Sequence, residues 1–206
     1  MKTWVTAHLL NKLAGLRSGL PFLPMMYNDV REVEVVTDVT TEPVSLEEVK
    51  RQLNLLFSSD GSFQFDDDDD YLNELIPRCR ESLEKYTGLS FATKTLRAII
   101  CNECGGTELP SGPIQAITSI KDSEGTTLSS IILSGNQFKV IETTSCYLDI
   151  EYTAGYGTGK LPRGLVRALV ELIAWAYNHR GEEVDVAYSK QALESAAPYK
   201  RTSWIA

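Results

Sequence analysis

Two histidines, four cysteines and an excess of acid over base limit the chemistry open to this chain of 206 residues. The histidines, His8 and His179, lie in a terminal stretch and at a helix end, so no serine, histidine and carboxylate constellation can be nominated. A carboxylate could still act as a general base, but nothing in the sequence marks one. The cysteines, Cys79, Cys101, Cys104 and Cys146, are too few for a dense disulfide framework and suit a reducing compartment. Cys101 and Cys104 form a lone C-x-x-C, whereas structural zinc needs four ligands, so these two read as half-buried strand cysteines. Lys and Arg number 20 against 28 Asp and Glu, a formal charge of −8. A chain that held nucleic acid by counterion release would need clustered base, so DNA near this protein is expected to pass without being gripped. No apolar run reaches the roughly 18 to 20 residues that span a bilayer. The opening MKTWVTAHLLNKLAGLRSGLPFLPMM superficially resembles a secretory signal, but Asn11, Lys12 and Arg17 break the unbroken apolar run of about 7 to 15 residues that a signal requires.

What is present is enough apolar material, 43% of residues, for one core. The division expected is an N-terminal arm over 1–43, a core domain over 44–181 and a C-terminal arm over 182–206. The N-terminal forty residues carry Trp4, Leu9, Leu10, Leu13, Leu16, Leu20, Phe22 and Leu23, and this much apolar surface suits an arm that packs on a partner better than a disordered tail. Helices are predicted over 45–56, 70–87 and 163–180. Ser45 followed by Glu48 supplies a capping box for the first, with Leu46, Val49, Leu53 and Leu56 on its apolar face. The second has Leu72, Leu75, Ile76, Cys79, Leu83 and Tyr86, ends at Gly88, and contains Pro77, which predicts a kink or a turn. The third opens after Pro162 with Leu165, Val166, Leu169, Val170, Ile173 and Tyr177 on one broad face.

Between 93 and 156 the chain turns to short β-branched and aromatic stretches punctuated by Gly, Pro and Asn. Strands are predicted at Thr95–Cys101, Ile114–Asp122, Thr127–Leu133, Phe138–Ile141 and Cys146–Thr153. The fold class expected is therefore α+β: a mainly helical core of three principal helices, a small antiparallel sheet or hairpin insertion, and extended arms at both ends.

Two segments invite a ligand and fall short. Ala154-Gly-Tyr-Gly-Thr-Gly-Lys160 lies between strand and helix, where a phosphate-binding loop would sit, but Ala154 and Leu161 replace its first glycine and its magnesium-binding hydroxyl. The run Asp66, Asp67, Asp68, Asp69, Asp70 lacks the alternating ligand spacing of a calcium loop. It reads as an acidic helix start, favoured by the dipole there, or as a negative face toward a channel or a partner. No cofactor and no metal are assigned.

Taken in order, several segments resemble the head-tail connector (adaptor) family of tailed double-stranded DNA phages. VSLEEVKRQLNL resembles its first helix, and DDDDDYLNELIPRCRESLEKYTGLSF its second, with Arg80, Glu84 and the Thr87-Gly88 ending. LPSGPIQAITSIKDSEGTTL is similar to its proline-bracketed strand and turn. YLDIEYTAGYG, followed by LPRGLVRALVELIAWAYNHRGE, resembles its strand ending in Ala-Gly-Tyr and its Pro-initiated helix ending in Tyr-x-x-Arg, and APYKR its closing segment. Pro77 and the N-terminal extension depart from the pattern. The resemblance implies a non-enzymatic ring of about a dozen copies that docks under the portal protein, extends the DNA channel and offers a platform to the next neck or tail protein. It implies a place in the virion neck after assembly in the host cytoplasm, with no membrane involved. The arms are then expected to bind neighbours, through Trp4, Leu9 and Leu13 at one end and Tyr199, Lys200, Arg201 and Trp204 at the other. A tail-completion or stopper ring, and a small soluble enzyme, remain the alternatives.

Overall fold

The computed structural model describes residues 28–55, 68–102, 106–129, 132–135, 138–143 and 145–201. Among them are four α-helices and seven strands. In chain order these are β1 (Asn28–Thr37), α1 (Leu46–Gln52), α2 (Asp69–Thr87), β2 (Lys94–Asn102), β3 (Gly106–Glu108), β4 (Ile114–Lys121), β5 (Ile132–Ser134), β6 (Val140–Glu142), β7 (Tyr147–Ala154), α3 (Arg163–Asn178) and α4 (Lys190–Ala196).

The helices follow from local chemistry. Ser45 accepts the Glu48 backbone N–H at 3.2 Å, so α1 starts as its capping residue dictates. It stops at Gln52, earlier than its apolar spacing suggested, where the chain passes through Asn54 at φ 53°. Gly88 ends α2 in the left-handed conformation, its N–H on the Glu84 carbonyl at 2.8 Å. No turn interrupts the helix at Pro77, and α2 runs from Asp69 to Thr87. The bond that proline removes is the one to Asn73, an exposed residue, so water can take its place. Leu72, Leu75, Ile76, Cys79 and Leu83 of α2 meet Leu165, Ala168, Leu169, Leu172, Ile173 and Ala176 of α3 in one buried cluster, which Val49, Leu89, Phe91, Ala192 and Ala196 complete.

A second cluster belongs to the sheets. β1, β2, β7 and β4 form a four-stranded antiparallel sheet in that order, and β3, β6 and β5 form a three-stranded one. β7 alternates strictly, with Leu148, Ile150, Tyr152 and Ala154 fully buried. Leu96, Ala98 and Ile100 of β2 share that face, which closes against Leu109 and Ile141 from the smaller sheet's side.

The expectation of a mainly helical core with three principal helices and a small sheet inserted into it is thereby corrected. The sheets carry an apolar core of their own, and α4 is a fourth helix, capped by the Ser189 hydroxyl. Two strands had not been assigned. β3 is three residues long, too short for a periodicity. β1 falls within the expected N-terminal arm, although Glu32-Val33-Glu34-Val35 alternates as a strand does.

Candidate functional site

The segments singled out in the sequence meet one another in space, and four clasps result. The first is buried at the junction of α2 and β2. Arg80 and Glu84, one helical turn apart, pair at 3.1 Å, and Glu84 also takes Lys94 Nζ at 2.7 Å and the Phe91 backbone N–H at 2.6 Å. Arg80 reaches Glu42 at 2.9 Å, which ties the stretch before α1 to the same point. Burial opposes the charge of Arg80, but Glu84 and Glu42 outweigh it and hold the guanidinium above its ordinary pKa. A charged residue only 3% exposed in its side chain is tolerable because it is paired on two sides.

The second clasp uses the acidic run. Asp68 accepts Arg180 Nη2 at 2.7 Å and the Tyr177 hydroxyl at 2.5 Å, and these two donors hold its carboxyl below the usual carboxylate range. The Arg180 guanidinium sits 4.7 Å from the Tyr71 ring centre and 4.6 Å from that of Tyr177, so the start of α2 is pinned to the end of α3. Asp69 pairs with Lys50 of α1, whose side chain is 4% exposed. Asp70 is exposed, and Asp66 and Asp67 lie outside the described residues. Two of the three described aspartates of the run are thus engaged within the chain.

The third clasp fixes the closing segment. Tyr199 lies against Gly164 of α3, where an added Cβ would come within 2.6 to 3.0 Å of its ring and hydroxyl. Lys200 lies 4.7 Å from the Tyr86 ring centre. Arg201 bonds through its backbone N–H to the Thr87 carbonyl at 2.8 Å, pairs with Glu108 at 2.8 Å and covers the Phe138 ring. These three expected arm residues therefore meet their own chain. Trp4, Leu9, Leu13 and Trp204 lie outside the described residues.

The fourth is the glycine-rich connection. Gly155 has φ +109°, and a Cβ there would stand 2.0 Å from the Ala92 carbonyl oxygen, so only glycine lets β7 leave the sheet at this point. A cavity of about 100 Å³ beside the loop, lined by Thr40, Glu42, Thr93, Thr158 and Gly159 among others, is well below the ~300 Å³ at which small-molecule sites begin. Of the cysteines, Cys101 is half-buried on β2, Cys146 is exposed, and Cys79 is buried in the helical core, which pushes its thiol up to about 12. Cys104 lies outside the described residues. Among the described residues no group of three or more His, Cys, Asp and Glu could hold a metal ion.

The sequence marks Arg80, Glu84, Asp68, Tyr177, Arg180 and Tyr199 as motif positions, but not Glu42, Lys94 or Glu108, and none of the pairings. Asp68 with Arg180, separated by 112 residues, and Tyr199 against Gly164 have no local signal. The outcome is a helix-and-sheet scaffold in which Arg80, Glu84, Asp68, Asp69, Tyr199 and Arg201 are committed to joints within the chain.

A scaffold of this kind is known. Residues 43–128 match the family described as phage gp6-like head-tail connector protein. The resemblance read from the motifs is thus borne out. A comparison with curated protein sequences found no match. Among solved structures the fold is similar to a chain in the neck of an empty gene transfer agent particle computed with C6 symmetry. The TM-score is 0.66 at 18% identity, covering 84% of this chain and 96% of that one. A chain in the virion of the native gene transfer agent particle matches with TM-score 0.63 at 17% identity, over 83% and 96% of the two chains. One in the native neck computed with C12 symmetry gives 0.62 at 16%, over 84% and 96%. At these identities the likeness is one of fold.

Proposed function

We propose that this chain is a structural adaptor of a phage neck: several copies, about a dozen, form a ring beneath the portal, continue the DNA channel and offer a platform to the next neck or tail protein. Its place is then the virion, between capsid and tail. The match of residues 43–128 to the connector family is the observation that carries this reading. The near-complete coverage of the neck chains by the same fold supports it.

The physical chemistry agrees. A net charge of −8 disfavours adhesion of passing duplex. The second clasp ties the helices to one another, and the third ties the closing segment to α2, α3 and the smaller sheet, as a part that carries load between larger rings requires. The apolar residues Trp4, Leu9 and Leu13 at one terminus and Trp204 at the other are assigned to contacts with neighbours, since aromatic anchors commonly dominate interfaces. The domain division at 43/44 and 181/182 belongs to the same proposal, with β1 extending the core sheet from the N-terminal side. Asp70, with Asp66 and Asp67, is assigned to the acidic surface toward the channel or a partner. The role is structural, not catalytic.

Co-sedimentation of the full chain with purified portal rings tests this. Saturable binding near one copy per portal subunit is expected. Failure to bind portal, together with binding to a tail component, would move the chain to the tail-completion class.

A further inference from the structure

We propose that β1 is the docking edge for the next copy of the chain, and that it adds to the β4 edge of that copy so that the four-stranded sheet continues from subunit to subunit. This rests on the ring reading and specifies one of its contacts.

The first observation is an uncovered apolar face. Val30, Val33 and Val35 stand opposite Ile100, Ala98 and Leu96 across the β1–β2 ladder, so they point to the side on which those β2 residues are fully or almost fully buried. Yet the three valines are 39%, 41% and 49% exposed, and Val36 beside them is 49% exposed. The core that Leu109 and Ile141 close takes residues from β2, β7 and β4, and none of the four valines of β1 joins it. The second observation is the edge itself. β1 is ten residues long and pairs only with β2 among the described residues, which leaves the outer row of backbone N–H and C=O groups open. Long apolar edges invite another strand unless something covers them.

A second copy is the occupant that fits. A cyclic ring of more than two subunits needs two different surfaces on each, one facing each neighbour. The strand order supplies them, since β1 and β4 are the opposite ends of one sheet. Their charges are also opposite: β1 carries Asp29, Glu32 and Glu34 against Arg31, whereas β4 carries Lys121 and no acid. A two-fold β1–β1 contact would bring like charge together and close at two copies.

The β4 edge is open where it is needed. The turn after it folds back on its end, through Leu128 N–H to the Ile120 carbonyl and Asp122 N–H to that of Thr126, and leaves exposed Gln115, Ala116 and Thr118 with half-buried Ile117. Each of the two strands has two register shifts, in β1 between Val30 and Glu32 and between Val35 and Thr37, in β4 between Ile114 and Ala116 and between Ile117 and Ser119. Such bulges bend an edge and admit a matched partner while discouraging an arbitrary one.

The test compares the full chain with two variants by mass photometry, with circular dichroism to confirm folding. Val33→Lys with Val35→Lys spoils β1, and Thr118→Glu with Lys121→Glu spoils β4; all four positions are exposed. Each variant alone is expected to lose the ring species while staying folded. A one-to-one mixture is expected to give a dimer and nothing larger, because only one competent β1 and one competent β4 remain per pair. Should the β1 variant misfold, the β4 variant carries the test alone. Rings formed by a folded variant would overturn this contact and leave the ring reading intact. A wild-type chain that stays monomeric with and without portal would remove both. Amide exchange over 30–36 in the monomeric β4 variant is expected to be at least tenfold faster than in the wild-type ring. Equally slow exchange would assign the cover to the chain's own residues 1–27 and overturn the proposal.

Discussion

Replacing Glu84 by alanine removes the centre of the buried clasp, and its effect can be worked from three contacts. One carboxylate oxygen receives the Phe91 backbone N–H, and the other receives Arg80 and Lys94. The side chains of Arg80 and Lys94 are 3% and 12% exposed, so water cannot readily replace what they lose. Removing one partner of a buried ion pair costs about 3–5 kcal/mol, and an unsatisfied N–H left behind keeps the value in the upper half of that range. Glu42 still holds Arg80, which works in the other direction. The net expectation is a loss of about 3–4 kcal/mol for Glu84→Ala. With an m-value of about 2–3 kcal/mol/M, the urea midpoint falls by roughly 1–2 M. Glu84→Gln retains an acceptor for Phe91 and should lose about 2 kcal/mol, near the worth of a hydrogen bond to a charged group. The combined Arg80→Met and Glu84→Leu chain should lose less than Glu84→Ala, because no charge is left stranded. Urea unfolding at one fixed protein concentration measures all three. A loss below about 1 kcal/mol for Glu84→Ala would refute the reasoning that this site is buried and mutually dependent.

Gly155→Ala should cost upward of about 3 kcal/mol and reduce soluble yield, because it adds a steric clash with the Ala92 carbonyl to an unfavourable positive φ; a near-neutral urea midpoint would contradict the close approach. Asp68 has its pKa lowered from 3.8 by Arg180 and Tyr177, so its stabilisation is present above 3.8 and lost as pH falls through the depressed folded value. The stability difference between wild type and Asp68→Asn should accordingly be constant at mild pH and shrink below about pH 3.8, a trend that thermal unfolding across pH 6 to 2 can follow and that an unchanged gap at pH 2 would rule out. Alkylation at pH 8 should modify exposed Cys146 and spare Cys79, whose thiol burial raises to about 12, until denaturant is added; peptide mass mapping of the native protein reads this directly.

What could be read from the sequence was what local chemistry determines. Ser45, Gly88 and Pro162 mark helix ends through capping and backbone preference, which act within a turn. The alternation of β7 announces a face because every second residue of it is buried. By contrast, the helical emphasis of the expected core failed because β3 is too short to show a period, and the strands expected at Thr127–Leu133 and Phe138–Ile141 gave no local sign that Ile141, with Leu109, closes a second core. Pro77 marks no turn in α2 because the helix loses only one bond there, at exposed Asn73. The acidic run looked like a surface; two of its members, Asp68 and Asp69, are matched by Arg180 and Lys50, distant in sequence. The closing Pro-Tyr-Lys-Arg segment was expected to reach a neighbour, and its partners Gly164, Tyr86 and Glu108 show contacts within the chain that no spacing rule gives.

The assembled state of the full chain decides most directly whether it forms a neck ring. Electron microscopy class averages of the purified protein, alone and mixed with portal rings, should show closed rings of about twelve copies coaxial with the portal; a monodisperse 22.9 kDa monomer that leaves portal rings bare would contradict it.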